Sequence, residues 1–192
     1  MEEIPELQID VARGHVRRRG MQRVAQGLHR ARLPAVDSSA SPQERADARR
    51  TSTLADLHAW QQVLRPGACF THLSSAIVRS WWLPALPDGL PVWIAQDKRH
   101  NHTRRRGARV RRLGAAPDTE TIEGVRLATA AETLLACAGD LATLDLVVLI
   151  DSALQVGDVT LEALRALAGT RRRAALRLRA ALALADGRSE SA

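Results

Sequence analysis

The chain has 192 residues, 45% of them apolar and only 3% aromatic, with a formal charge of +7 and a pI near 11.1. That is enough chain for one generous domain or two small ones around an aliphatic core. No bilayer span is expected, since the longest apolar run, Leu141 to Leu154, is broken by Asp145 and Asp151, and no secretory signal is expected from MEEIPELQID, which is acidic and has no apolar stretch. A soluble cytoplasmic protein is expected, with Cys69 and Cys137 as reduced thiols that match no ligand spacing.

Residues 1–15 show no clear period. From Val16 to Leu33 apolar residues are sparse among arginines, and Gly27 argues against a helix interior, so two short strands with basic outer faces are expected. Pro34 to Ser41 reads as a loop. Ser41-Pro42-Gln43-Glu44 then combines a capping serine, proline at the first helical position and glutamate three residues after the cap. It starts a helix to about Leu64, less regular near Arg50-Thr51-Ser52, with Ala46, Leu54, Leu57, Trp60 and Leu64 on the buried side. A shorter helix is expected from Ser74 to Trp82, with Trp81 and Trp82 plugging the core. Pro91–Gln96 and Arg109–Leu113 are expected strands, joined by a charged loop.

The stretch Thr121 to Gly157 carries the most consistent signals. A hairpin should turn at Glu123-Gly124, with Thr129 and Glu132 forming a second capping box for a helix over Ala130–Ala138. Another helix follows over Leu141–Val156. Thr160 should cap one that ends at Gly169, and Thr170 one that runs to about Ala185, with Arg171 to Arg173 in its first turn. Strands in the middle and helices at the end make an α+β fold.

Chemistry is thinly signalled. Asp88, Asp97 and Lys98 are spaced like a metal-dependent nuclease site, but Gln96 stands where a second carboxylate ligand belongs. Asp97, His100 and His102 lack a fourth metal ligand. Ser74 and Ser75 lack a nucleophile elbow. His72 is expected to serve packing or capping. No cofactor, metal or catalytic set is expected. The basic candidates for nucleic-acid contact are Arg17, Arg18, Arg19, Arg23, Arg104, Arg105, Arg106, Arg109, Arg111 and Arg112. Their abundance has two sources to weigh, polyanion binding and the arginine bias of a GC-rich genome, since Lys98 is the only lysine.

The order of LRPGACFTHLSSAIVRSWWLP (64–84), PVWIA, RGARVRRL, TIEGVRLATAAETLLACA, LVVLIDSALQVGDVTLEAL and LALADGRSES resembles a group of actinobacterial proteins related to AbiEi-type antitoxins. Many of these carry a C-terminal endonuclease domain like that of the very-short-patch-repair nucleases. The resemblance spans about Gly20 to Ser191 and implies a remnant winged-helix wing within residues 1–41, at GMQRVAQGLHRARL. A mixed module of a small β-sheet and a C-terminal helical cluster over 42–187 would follow, then a tail over 188–192. The groove-reading helix and the nuclease residues have no corresponding positions. The function implied is a non-catalytic antitoxin-like or regulatory module of a type IV toxin-antitoxin system, binding a cognate toxin and DNA. The alternative is the front portion of a nuclease-fused protein without its catalytic domain.

Overall fold

The structure, a computed structural model, describes residues 10–14, 19–87, 89–99 and 105–185. Among them are six helices and two sheets in an α+β arrangement. Three short strands open the fold: β1 (Val11–Arg13), β2 (Met21–Ala25) and β3 (Leu28–Ala31), antiparallel in the order β1-β3-β2. The turn between β2 and β3 uses Gly27 at φ 69°, a backbone angle that costs glycine nothing. β1 was not anticipated, because three residues are too few to establish an alternation.

Helix α1 (Pro42–Gln61) starts as its sequence dictates. The Ser41 hydroxyl accepts from the Glu44 N–H, and the Glu44 carboxylate accepts from the Ser41 N–H. The helix is unbroken through Arg50–Ser52, and the polar residues there face neighbours: Arg50 donates to the Val78 carbonyl at 2.8 Å and pairs with Glu123. Leu54, Leu57 and Trp60 are buried as expected, whereas Ala46 is exposed. Arg30, only 3% exposed, ties the small sheet to this helix through Asp56 (2.5 Å) and Ser52 (3.0 Å).

The larger sheet comprises β4 (Cys69–Phe70), β5 (Val92–Asp97), β6 (Ala108–Leu113), β7 (Thr119–Ile122) and β8 (Val125–Ala128), in the order β6-β5-β4-β8-β7. β5 pairs parallel with β6 and β4 parallel with β8; the other pairings are antiparallel. The hairpin turns where expected, with Glu123 at φ 46° and Gly124 at φ 74°, the paired positive angles of a tight β-turn.

Helix α2 (His72–Val78) starts and ends earlier than its sequence suggested. Beyond it the chain straightens so that the Trp81 indole can donate to Asp158 at 2.7 Å and the Trp82 N–H to the Ser152 hydroxyl at 2.8 Å. Trp81 is buried in the core, but Trp82 is 38% exposed and does not plug it.

The chain ends in α3 (Ala130–Ala138), α4 (Thr143–Gln155), α5 (Leu161–Ala168) and α6 (Ala175–Leu182). Thr160 caps α5 as expected. Thr129 sits at the start of α3 without a side-chain cap; its N–H donates to the Asp118 carbonyl at 2.9 Å, and the Glu132 carboxylate is taken by both terminal nitrogens of Arg172. Both arms of the expected box are therefore unmade. Thr170 does not start α6; its hydroxyl donates back to the Leu167 carbonyl at 2.7 Å. Arg171 to Arg173 therefore lie ahead of the helix rather than in its first turn.

Two main cores result. One joins α3 to α6 through Leu134, Leu146, Leu149, Ile150, Leu164 and Leu178. The other packs Trp60, Leu54, Leu57 and Leu28 against Phe70, Ile94 and Leu127 of the larger sheet. Helix α2 bridges them, contributing Ala76 to the first and Val78 to the second. β6 forms one edge of the larger sheet among the described residues.

Candidate functional site

The predicted arginines divide according to strand alternation and turns. Arg17, Arg18 and Arg104 lie outside the described residues, as do Asp88, His100 and His102. Arg19 is exposed in the turn before β2, and Arg23 on β2 is exposed with its Nε donating to the Ala25 carbonyl at 3.3 Å. Arg105, in the exposed approach to β6, donates to the adjoining Gln26 carbonyl at 3.3 Å. Two arginines far apart in sequence thus meet at the tip of one hairpin, with Arg106 exposed next to them.

Along β6, side chains alternate between faces. Arg109 and Arg111 share the face of Trp93, where their guanidinium carbons lie 4.7 Å and 5.9 Å from the indole centroid. Such placement lets a cation interact with the negative face of the ring. Arg111 also pairs with Asp140, while Arg112 donates to the Lys98 carbonyl.

Arg111 and Arg112 enter a second constellation that the sequence did not signal. A cleft of about 610 Å³ lies between the end of β6 with its Gly114–Asp118 continuation and the side of α3. Arg172 and Arg173 close it, Thr71 and Ala95 lie within it, and Asp118 and Glu132 are its carboxylates. The contributing residues are spread from 71 to 173, and no local pattern could have joined them.

His72 occupies a separate, closed position. Its φ of 56° is unusual for a residue with a side chain, and its ring is 1% exposed. It stacks on Trp93 at 3.7 Å between centroids, with 13° between planes. Nε2 lies 3.4 Å from an Asp140 oxygen without forming a hydrogen bond. Burial drives the imidazole pKa down to about 4, with Arg111 and Arg109 adding to the fall and Asp140 opposing it. The ring is therefore neutral near pH 7, in keeping with the packing role expected of it.

The enzymatic candidates take structural roles among the described residues. Asp97 accepts from the Arg99 backbone N–H (2.8 Å) and Nε (2.9 Å), while Gln96 is 1% exposed. Ser74 accepts from the Trp93 N–H at 2.9 Å, and Ser75 from Thr133 at 2.9 Å. Both thiols are buried and unpaired; burial pushes Cys69 up to about 12 and Cys137 upward as well, so neither supplies a thiolate near neutrality. Among the described residues, no group of three His, Cys, Asp or Glu side chains could hold a metal ion. None of the described helices is long and apolar enough to cross a membrane.

No family model matches the sequence, and neither a curated protein nor a solved structure matches it.

Proposed function

We propose that this chain is a non-catalytic, AbiEi-like regulatory or antitoxin module that grips a cognate toxin and operator DNA through its arginine-bearing surface. The observation that carries the reading is the meeting of Arg23 and Arg105 on the neighbouring carbonyls of Ala25 and Gln26. Two guanidiniums brought to one hairpin tip from positions 82 apart give the clustered cations that contact with successive phosphates requires. Exposed Arg106 and Arg109 extend the same positive character along the approach to β6 and the strand itself.

Such a surface binds by neutralising phosphates and releasing counterions, so affinity falls as salt rises. A gel shift on the protein's own promoter, repeated over a salt series, tests the nucleic-acid half. Arg23→Gln and Arg105→Gln should each flatten the salt dependence by a slope of about 1, with little change in sequence preference. A toxin-rescue assay in cells tests the other half. An unshifted promoter together with failed rescue defeats the reading.

A further inference from the structure

The cleft beside α3 has a chemistry separate from the hairpin-tip arginines. We infer that it binds a phosphomonoester attached to a flat or apolar body, of the size of a nucleoside monophosphate. This inference stands whether or not the chain grips a toxin or an operator.

Size gives the first argument. About 610 Å³ falls within the roughly 300–1,000 Å³ that accommodates one small organic molecule. Inorganic phosphate would leave most of it unfilled.

Charge gives the second. Four arginines (Arg111, Arg112, Arg172 and Arg173) and two carboxylates (Asp118 and Glu132) line the cleft, and Asp140 pairs with Arg111 beside it. The surplus of one positive charge favours an anionic group, and a phosphomonoester carries about −1.5 to −2 near neutral pH. Glu132 engages Nη1 and Nη2 of Arg172, and Arg112 uses one nitrogen on the Lys98 carbonyl. A guanidinium has five N–H donors, so both retain unspent ones. Arg173 is exposed and has no ion-pair partner among the described residues.

Preorganisation gives the third. Arg111 is fixed by Asp140 and by the Trp93 ring, and Arg172 by Glu132, so the cations are in place before a ligand arrives. Gly139 contributes by what it lacks. Its backbone is ordinary, with φ −73° and ψ −24°, so its angles do not demand glycine. A Cβ there would stand 3.0 Å and 3.1 Å from the two terminal nitrogens of Arg111. The glycine leaves the space in which that guanidinium sits.

The remaining wall is small and uncharged. Ala95, Leu113, Ala115, Ala116, Leu135 and Ala136 offer apolar surface to the part of the ligand that bears no charge. Ala115 and Ala116 are exposed, and a Cβ added at Gly114 would meet nothing within 4 Å, so this side is open to entry.

Calorimetric titration of the whole chain with each of the four ribonucleoside 5′-monophosphates tests the inference. Inorganic phosphate and the unphosphorylated nucleosides serve as controls. At least one monophosphate should bind with a Kd below about 1 mM, and about tenfold or more tighter than either control. Arg173→Glu and Ala115→Trp alter exposed side chains and should keep the wild-type circular dichroism while weakening that binding about tenfold or more.

A short oligonucleotide with a 5′-phosphate or a 5′-hydroxyl separates the sources. If the phosphorylated form displaces the mononucleotide, the ligand is the end of a nucleic acid; if it does not, the ligand is a free nucleotide. Absence of monophosphate binding, binding no tighter than inorganic phosphate, or affinity unchanged in both variants overturns the inference.

Discussion

Acidification should destabilise this protein through His72 over a defined pH window. In the unfolded chain the imidazole takes up a proton near 6.5, but in the folded state only near 4. Above the higher value neither state binds the proton, and the neutral ring's contribution is fully present. As pH falls through the window the unfolded chain protonates first, so stability declines, and the loss is complete below the lower value. At about 1.4 kcal/mol per pKa unit, the displacement corresponds to ~3 kcal/mol, against a typical folding free energy of ~5–15 kcal/mol.

Urea unfolding at about pH 7.5 and about pH 4.5 measures most of that span. Other titrating groups, including Asp56, whose pKa burial raises despite its bond to Arg30, act in any single measurement. Comparison with His72→Phe removes their common effect. Phenylalanine keeps a flat ring against Trp93 and inherits the same positive φ, but cannot titrate. The wild type should lose about 2–3 kcal/mol more than the variant over this interval. Equal losses in the two proteins, or an imidazole proton resonance that titrates near the unfolded value, would refute the burial argument.

Further predictions concern the ties that hold the elements together. Ser41→Ala should cost about 1 kcal/mol in urea unfolding, because both arms of that capping box are formed; Thr129→Ala should cost less than about 0.5 kcal/mol, because its hydroxyl caps nothing. Arg30→Met should cost about 3 kcal/mol by stranding Asp56, and a cost below about 1 kcal/mol would show that the pair behaves as a surface contact. Gly139→Ala should crowd Arg111, so a double-mutant cycle with Arg111→Ala should show coupling of about 0.5–1 kcal/mol, and strict additivity would separate the two positions.

What could be read from the sequence was whatever a few adjacent residues decide. Ser41 through Glu44 specify a helix start without outside help, and Glu123-Gly124 specify a turn through backbone preference. Thr129 and Glu132 have an equally good local pattern, yet Arg172, 40 residues further on, takes the carboxylate. Trp81 and Trp82 are identical by composition and opposite in outcome, because only one has Asp158 to receive its indole N–H and a core to enter.

β4 escaped notice because two residues carry no period; they form a strand only because β5 and β8 flank them. The candidate sites divide in the same way. Arginine clusters are visible in the sequence, but which of them share a surface is set by folding. Arg23 and Arg105 meet, whereas Arg111 turns toward Asp140 and joins Arg172 and Arg173 in the cleft.

The scattering of the indoles has a practical consequence for spectroscopy. Trp60 reports on the α1 core, Trp81 on the helical cluster and Trp93 on the stack with His72, while Trp82 stays in contact with solvent. Their emission colours should therefore differ, with Trp82 the reddest and most readily quenched by an added collisional agent. Variants retaining a single indole would reveal whether the two halves of the interior melt in one step or in succession.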